Sequence, residues 1–468
     1  MAINMKNIHS SPKIVPALDK EFRPATLENR AFLNAVRDSG KGTPIAIGIE
    51  RSDGLISKYC THIFDESLEM MEENILYVDR LVKSLLWIWG GWKIIFGGPS
   101  YIGEYLESIY KHGGKREFDA DFMSKIYEKQ FTVEITDYDK VPEPKENTKA
   151  IGRHLNGCRI GLDAGGSTLK VSAVINGDAV YSEKVHWKPK VNSDPDYHYN
   201  EILKAMKSAA ARMPRVDAVG VSSAGVYINN RIMAASLFLE VPPELFDKKV
   251  RNMFLDIQEE LGAIPLEVAN DGDVTALTGA MDLNDTRILG ISMGTSEAGG
   301  YIDSKGNITG WLNELAFVPV DFNDNAMIDE WSGDYGCGVK YLSQDGVIKL
   351  ATAAGVAFDE AMTPAEKFRV VQLLLSNGDK RGRDVFESIG AYLGYSIAYY
   401  ADFYDIKHVL VLGGVTSEEG GEIILNTARK VLDVEFPEIA SSVLLHMPEE
   451  SNRGVGQSIT AASLPEIL

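Results

Sequence analysis

The chain alternates short, unbroken apolar runs with longer stretches of helical spacing. Pro44-Ile-Ala-Ile-Gly-Ile49 predicts a buried strand, and residues 68–90 predict a long apolar helix. Lys93-Ile-Ile-Phe-Gly-Gly98 predicts a strand ending in a glycine turn, with a helix following from about Ile102. Residues 1–40 are polar and mixed and predict partly irregular chain, while the charged, proline-containing stretch 136–150 predicts a linker. Beyond it, Arg159–Asp163, Lys170–Ile175 and Tyr181–Trp187 predict three strands, the first two meeting at Ala-Gly-Gly-Ser-Thr-Leu. Asn176-Gly177 predicts a tight hairpin turn. Tyr197–Met213 predicts a helix and Val216–Ser222 another buried strand. Strands alternating with helices predict an α/β sheet.

The pattern also repeats. An apolar helix over 385–404 precedes His408-Val-Leu-Val-Leu-Gly-Gly414 and a helix from about Glu418, as helix 68–90 precedes Lys93–Gly98 and its helix. Ile45–Ile49 echoes Ile288–Ser292 in the same way. Residues 1–150 are therefore read as an N-terminal α/β extension, an abridged and degenerate copy of the C-terminal lobe. Residues 151–282 and 283–468 are read as two further lobes.

Composition narrows the class. With 468 residues the chain is too long for one core and suits two or three domains. Its longest apolar run, Leu85–Phe96, is broken by Gly90, Gly91 and Lys93, so no membrane span is expected. The start, Met-Ala-Ile-Asn-Met-Lys, lacks the apolar core of a signal peptide, and three scattered cysteines, Cys60, Cys158 and Cys337, imply no disulfide framework. Both features point to the cytoplasm. The formal net charge of −20 argues against a nucleic-acid partner. It leaves a nucleotide open, since backbone amides and magnesium hold phosphates.

Four motifs carry chemistry. In Asp163-Ala-Gly-Gly-Ser-Thr-Leu-Lys-Val171, Gly165 and Gly166 let backbone approach an anion, Ser167 and Thr168 add hydroxyls, and Lys170 adds charge. Asp163 at the strand end can hold hydrated magnesium. Gly290–Tyr301 is a second strand–turn–strand, with Gly294, Thr295 and Ser296 at the turn. In Leu266–Leu277 a strand ends at Asn270-Asp271 and a helix begins near Asp273. Asp273 is assigned to capping and Asp271 to accepting a hydroxyl proton in phosphoryl transfer. Val409–Ser417 ends a buried strand in Gly413-Gly414, against which a flat ligand can lie.

In this order the motifs resemble the sugar-kinase branch of the actin, Hsp70 and hexokinase superfamily, and within it the ROK family. The resemblance covers about residues 155–468. It implies two actin-like (ribonuclease H-like) lobes around a central cleft, with ATP and Mg2+ as cofactors and a hexose or N-acetylhexosamine as substrate. It further implies that Asp163 and Gly165–Thr168, with Lys170, form one phosphate loop, and that Gly294, Thr295 and Ser296 form the other. Gly413 and Gly414 would lie near the adenosine. Asp271 would be the general base, Asn270 would bind sugar hydroxyls, and so would Glu314 in Asn313-Glu-Leu-Ala-Phe-Val-Pro-Val320. Family members are often homo-oligomers.

The chain departs from the pattern where the family has a zinc-binding His and a cysteine cluster. Phe317 replaces the former, and Gly336-Cys337-Gly338 is all that remains of the latter, so no structural zinc is expected. No helix-turn-helix stands out in residues 1–150. An active kinase is the leading expectation. A catalytically silent sugar or nucleotide sensor of the same fold is the alternative, and an actin-like activator of another enzyme fits poorly with three dispersed cysteines.

Overall fold

The computed structural model describes residues 9–146, 151–447 and 456–467. The remaining residues, which include parts of the predicted irregular start and of the predicted linker, lie outside this description. The chain divides into two compact units. One comprises residues up to 147 with 291–299 and 311–447; the other comprises 148–290 with 300–310 and 448 onward.

In the first unit, the segment predicted to be partly irregular contains a helix, Ala25–Asp38. Phe32 and Val36, one turn apart, bury its inner face, and the Phe32 ring stacks on Tyr77 at 4.3 Å. Strands β1 (Gly42–Glu50), β2 (Ile56–Phe64), β3 (Lys93–Gly97) and β4 (Thr132–Thr136) form a sheet ordered β2-β1-β3-β4. Helix Met71–Trp89 lies between β2 and β3 in the chain and is almost wholly buried from Tyr77 onward. It is apolar around most of its circumference, as a core helix must be. The chain after β4 is no free linker. Val141 packs on Ala46 and Ile95, and Lys145 bridges to Ile56. The apolar Val141 inside a charged stretch was the signal for this.

The second unit holds β5 (Cys158–Ala164), β6 (Thr168–Ile175), β7 (Asp178–His186), β8 (Ala218–Ser223), β9 (Val226–Ile228), β10 (Arg231–Ala234) and β11 (Leu266–Asn270). Five of them form one sheet ordered β11-β8-β5-β6-β7. Strands β5, β8 and β11 are parallel, and β5, β6 and β7 antiparallel. The predicted Asn176-Gly177 turn has both residues at positive φ, 50° and 94°. Ile160, Leu162, Val219 and Val221 of the sheet pack against Ile202, Met206, Phe254 and Ile257 of two helices. On the other face, Gly161 and Gly220 sit side by side in register. A Cβ on either would lie under 2 Å from a backbone oxygen of helix Gly456–Ala462, so the missing side chains admit that helix.

A third large sheet is ordered β13-β12-β14-β15, from β12 (Ile288–Met293), β13 (Glu297–Ile302), β14 (His408–Leu412) and β15 (Leu444–His446), of which residues 291–299, β14 and β15 belong to the first unit. Helices Lys380–Tyr400 and Glu418–Glu435 flank β14 in the chain. The two four-stranded sheets share an order: hairpin partner, first strand, Gly-Gly strand, parallel edge strand. In the N-terminal sheet β1 runs antiparallel to β3. Among the described residues, no helix is long and apolar enough to cross a membrane.

Candidate active site

The second unit builds an acidic, glycine-lined corner at the ends of β5, β8 and β11. Asp163 is buried at the end of β5. Its Oδ2 accepts from Lys170 Nζ at 3.0 Å, and its Oδ1 from Ser222 Oγ at 3.2 Å. The following turn is tight. Gly165 N donates to Thr168 O at 3.0 Å, and Trp187 closes it from outside, Nε1 donating to Gly165 O at 2.7 Å. Lys190, which the sequence reading did not single out, lies over this turn, and a Cβ on Gly166 would meet its Cε at 2.9 Å. The Lys170 ammonium is thus engaged by Asp163, while the exposed Lys190 brings a second cation to the same loop.

Asp271 opens helix Asp271–Asp282 at the end of β11. The cap is not Asp273, as expected from sequence, but Asn270. Its Oδ1 accepts from Gly272 N at 2.7 Å, and its Nδ2 donates to Gly225 O at 2.8 Å. Asn270 is the residue with extended φ/ψ that a cap position needs, and Asp273 already lies inside the helix. Asp273 is buried instead against β13, accepting from Tyr301 N at 3.2 Å. Among the described residues, Asp271 accepts from the backbone, Gly272 N lying 3.1 Å from its Oδ1. Burial, reinforced by the charge of Asp163, pushes its carboxyl up to about 6. Tyr227, in the short strand β9, is a second residue missed from sequence. Burial holds its phenol above the usual range, and Asp271 adds to the effect.

Within the first unit, Gly294 N donates to Ser296 O at 2.9 Å and Gly294 O accepts from Gln344 N at 2.9 Å, which shapes the Gly294-Thr295-Ser296 turn. Gly413 lies beside it with φ 103°, and a Cβ there would come 2.3 Å from Met293 O. Only glycine fits that approach. Gly414 faces open space. The structure therefore brings together the two motifs that the sequence separates by more than a hundred residues. Glu297, immediately after the turn, was overlooked. It is buried, accepts from Tyr400 Oη at 3.1 Å, and its Oε2 has no hydrogen-bond partner among the described residues. Burial pushes its carboxyl up to about 8.

Glu314 lies in a segment anchored by its backbone, with Glu314 N donating to Trp87 O at 3.1 Å. Phe317 stacks on Trp87 at 4.1 Å. Burial pushes the Cys337 thiol up to about 11, and its Sγ donates to Asp334 O at 3.8 Å. A thiol held protonated is a poor zinc ligand, since the thiolate binds metal. Among the described residues no group of three or more His, Cys, Asp or Glu could hold a metal ion directly. The Asp163 carboxylate accepts one hydrogen bond on each oxygen and keeps lone pairs that could hold the water shell of a magnesium ion.

Comparison with known proteins follows the same lines. The profile described as "ROK family" matches residues 159–452. The ROK hexokinase of Thermus thermophilus is 18% identical, with 66% of this chain and 97% of that chain covered and a TM-score of 0.50. A ROK family transcriptional regulator, a homologue of the E. coli MLC protein, is 17% identical, with 66% and 79% covered and a TM-score of 0.50. The ROK glucokinase of Streptomyces griseus, solved with glucose and AMPPNP, is 20% identical, with 66% and 98% covered and a TM-score of 0.48. The curated proteins contain no match. The fold is thus that of kinases and of regulators alike, and the family profile spans well over half of the sequence. By that profile, and by the acid-and-glycine corner built on β5 and β11, this chain belongs to the ROK family.

Proposed function

We propose that the protein is an ATP-dependent kinase that phosphorylates a hydroxyl of a hexose or N-acetylhexosamine. The observation that carries this reading is Asp271. It is a carboxylate that accepts from the backbone, raised to about 6 and ionised at neutral pH, one strand away from the Asp163 glycine loop. A general base works best with a pKa just below the operating pH. In this reading Gly165–Thr168, Lys170 and Lys190 receive one side of the nucleotide phosphates. Gly294–Ser296 receive the other, and Gly413 and Gly414 support the adenosine. Asn270 and Glu314 orient the sugar, and Asp271 takes the proton of the attacking hydroxyl. Magnesium would be held through water by Asp163, and when bound with the nucleotide it neutralises phosphate charge.

The test is magnesium-dependent ADP release with ATP and a panel of hexoses, N-acetylhexosamines and their epimers, with Asp271→Asn alongside. Turnover triggered by one sugar and absent from Asp271→Asn supports the reading. Sugar or nucleotide binding by thermal shift, with no turnover on the whole panel, replaces it with a regulatory, non-catalytic role for the same fold.

A further inference from the structure

Residues 9–146 grip one particular stretch of the first unit, 311–338, and do so in four independent ways. The first is backbone capping. A helix leaves its last four carbonyls unpaired. At the end of Met71–Trp89, Leu86 O is taken by Gly90 N, and the next three are taken by this stretch. Glu314 N donates to Trp87 O at 3.1 Å, Asn313 N to Ile88 O at 2.9 Å and Leu312 N to Trp89 O at 3.2 Å. The second is strand-like pairing. Ala25 N donates to Val320 O at 3.0 Å and Phe322 N to Arg23 O at 2.9 Å, while Asp321 Oδ1 accepts from Arg23 N at 3.0 Å.

The third is an aromatic stack. Phe317 lies on Trp87 at 4.1 Å and against Phe118 at 5.7 Å. The fourth is charge. One oxygen of Asp334, Oδ2, lies 2.7 Å from Arg80, 2.9 Å from Lys83 and 2.6 Å from Arg116, all three fully buried. Arg80 also donates to Tyr335 O at 3.1 Å, and its guanidinium covers the Tyr335 ring at 3.7 Å. Asp79 and Asp119 complete the balance, three buried cations against three carboxylates. Such a cluster is costly to desolvate and tolerates no missing member, so it holds its loop in one arrangement.

We infer that residues 9–146 are a built-in clamp that orders residues 311–338 without a metal ion, and that Trp87, Arg80, Lys83 and Arg116 are positioning residues for the ligand site containing Glu314. The ordering follows from the contacts alone; the effect on ligand affinity rests on the sugar-kinase reading. Phe317 and Cys337 offer no metal set, and the same positions are occupied by an aromatic ring stacked on Trp87 and a protonated thiol that donates to the Asp334 backbone carbonyl. The N-terminal segment thereby supplies, through side chains and paired backbone, the rigidity that ligand-bearing loops otherwise obtain from an ion.

The test uses the full chain: metal analysis, amide hydrogen exchange with and without EDTA, and titration with ATP and with the sugar panel. Wild type is compared with Trp87→Leu, which removes the stack, and Trp87→Phe, which keeps it. Expected are no stoichiometric zinc and unchanged exchange in EDTA. Exchange at 312–317 should be about tenfold or more faster in Trp87→Leu, with 165–168 unaffected and near wild-type behaviour in Trp87→Phe. Sugar KM should rise about tenfold in Trp87→Leu with ATP KM little changed, a split that general destabilisation would not produce. Stoichiometric zinc whose removal deprotects 327–338 overturns the clamp, as do 312–317 amides that stay protected in Trp87→Leu. Should Trp87→Leu not fold, Phe317→Leu opens the same stack from the half-buried side and is read identically. A wild type that binds no sugar counts against the kinase reading, and the exchange and metal results still decide the clamp.

Discussion

Asp271→Asn separates chemistry from stability, and the two should move in opposite directions. The carboxyl of Asp271 is raised from 3.8 to about 6, first by burial and then by Asp163. With that value about 97% of the protein carries the ionised base at pH 7.5 and about 10% at pH 5. The rate at low substrate should therefore fall about tenfold for each pH unit below 6 and level off above 7. Asparagine cannot accept the proton, so turnover should drop about 100-fold or more at every pH. Stability follows the other sign. A carboxyl raised in the folded state contributes stability that is present below pH 3.8 and lost as pH rises through about 6. The neutral amide escapes that loss. The full rise corresponds to about 3 kcal/mol. Asp271 is partly exposed, so solvent screening brings the expected gain nearer about 1 kcal/mol. Asp271→Asn should then melt about 2 °C higher than wild type at pH 8 and no higher at pH 3.5. Coupled ADP-release assays from pH 5 to 8.5 and calorimetry at both pH values measure the two effects. A flat rate profile, or an Asn variant keeping more than a tenth of the rate, refutes the assignment of the base.

Three other outcomes are expected. Gly166→Val should fold, because its new side chain displaces only the flexible end of Lys190, yet titration should show ATP affinity weakened about tenfold. Gly413→Ala should be destabilised by about 1–3 kcal/mol in chemical denaturation, since its Cβ would press on Met293 O at a φ of 103°. Glu297→Gln should remove a pH dependence: wild-type stability falls between about pH 4.5 and 8 as the unfolded chain loses the proton that the folded carboxyl keeps, and the Gln variant should lack that component of the slope.

What the sequence determined by itself was local. The apolar runs of β1, β3, β5, β8 and β14, the Asn176-Gly177 turn and the glycine–hydroxyl loops were legible because strand period, turn chemistry and glycine spacing are properties of neighbouring residues. The family was legible for the same reason, since its signature lies in short motifs taken in order. Tertiary structure decided whatever depends on partners distant along the chain. The helix cap passed from Asp273 to Asn270 because Asp273 is drawn to Tyr301 on another strand. The stretch 136–146 ceased to be a linker once Val141 found Ala46 and Ile95. The direction of β1 against β3 is invisible in the apolar pattern, because both strands are buried on both faces and show a continuous run although the pair is antiparallel. Above all, nothing in the local pattern sets Arg80, Lys83 and Arg116 apart from other charged positions. Only the fold brings all three to one oxygen of Asp334, more than two hundred residues away, because burial removes water as the alternative partner and leaves the opposite charge as the remaining one.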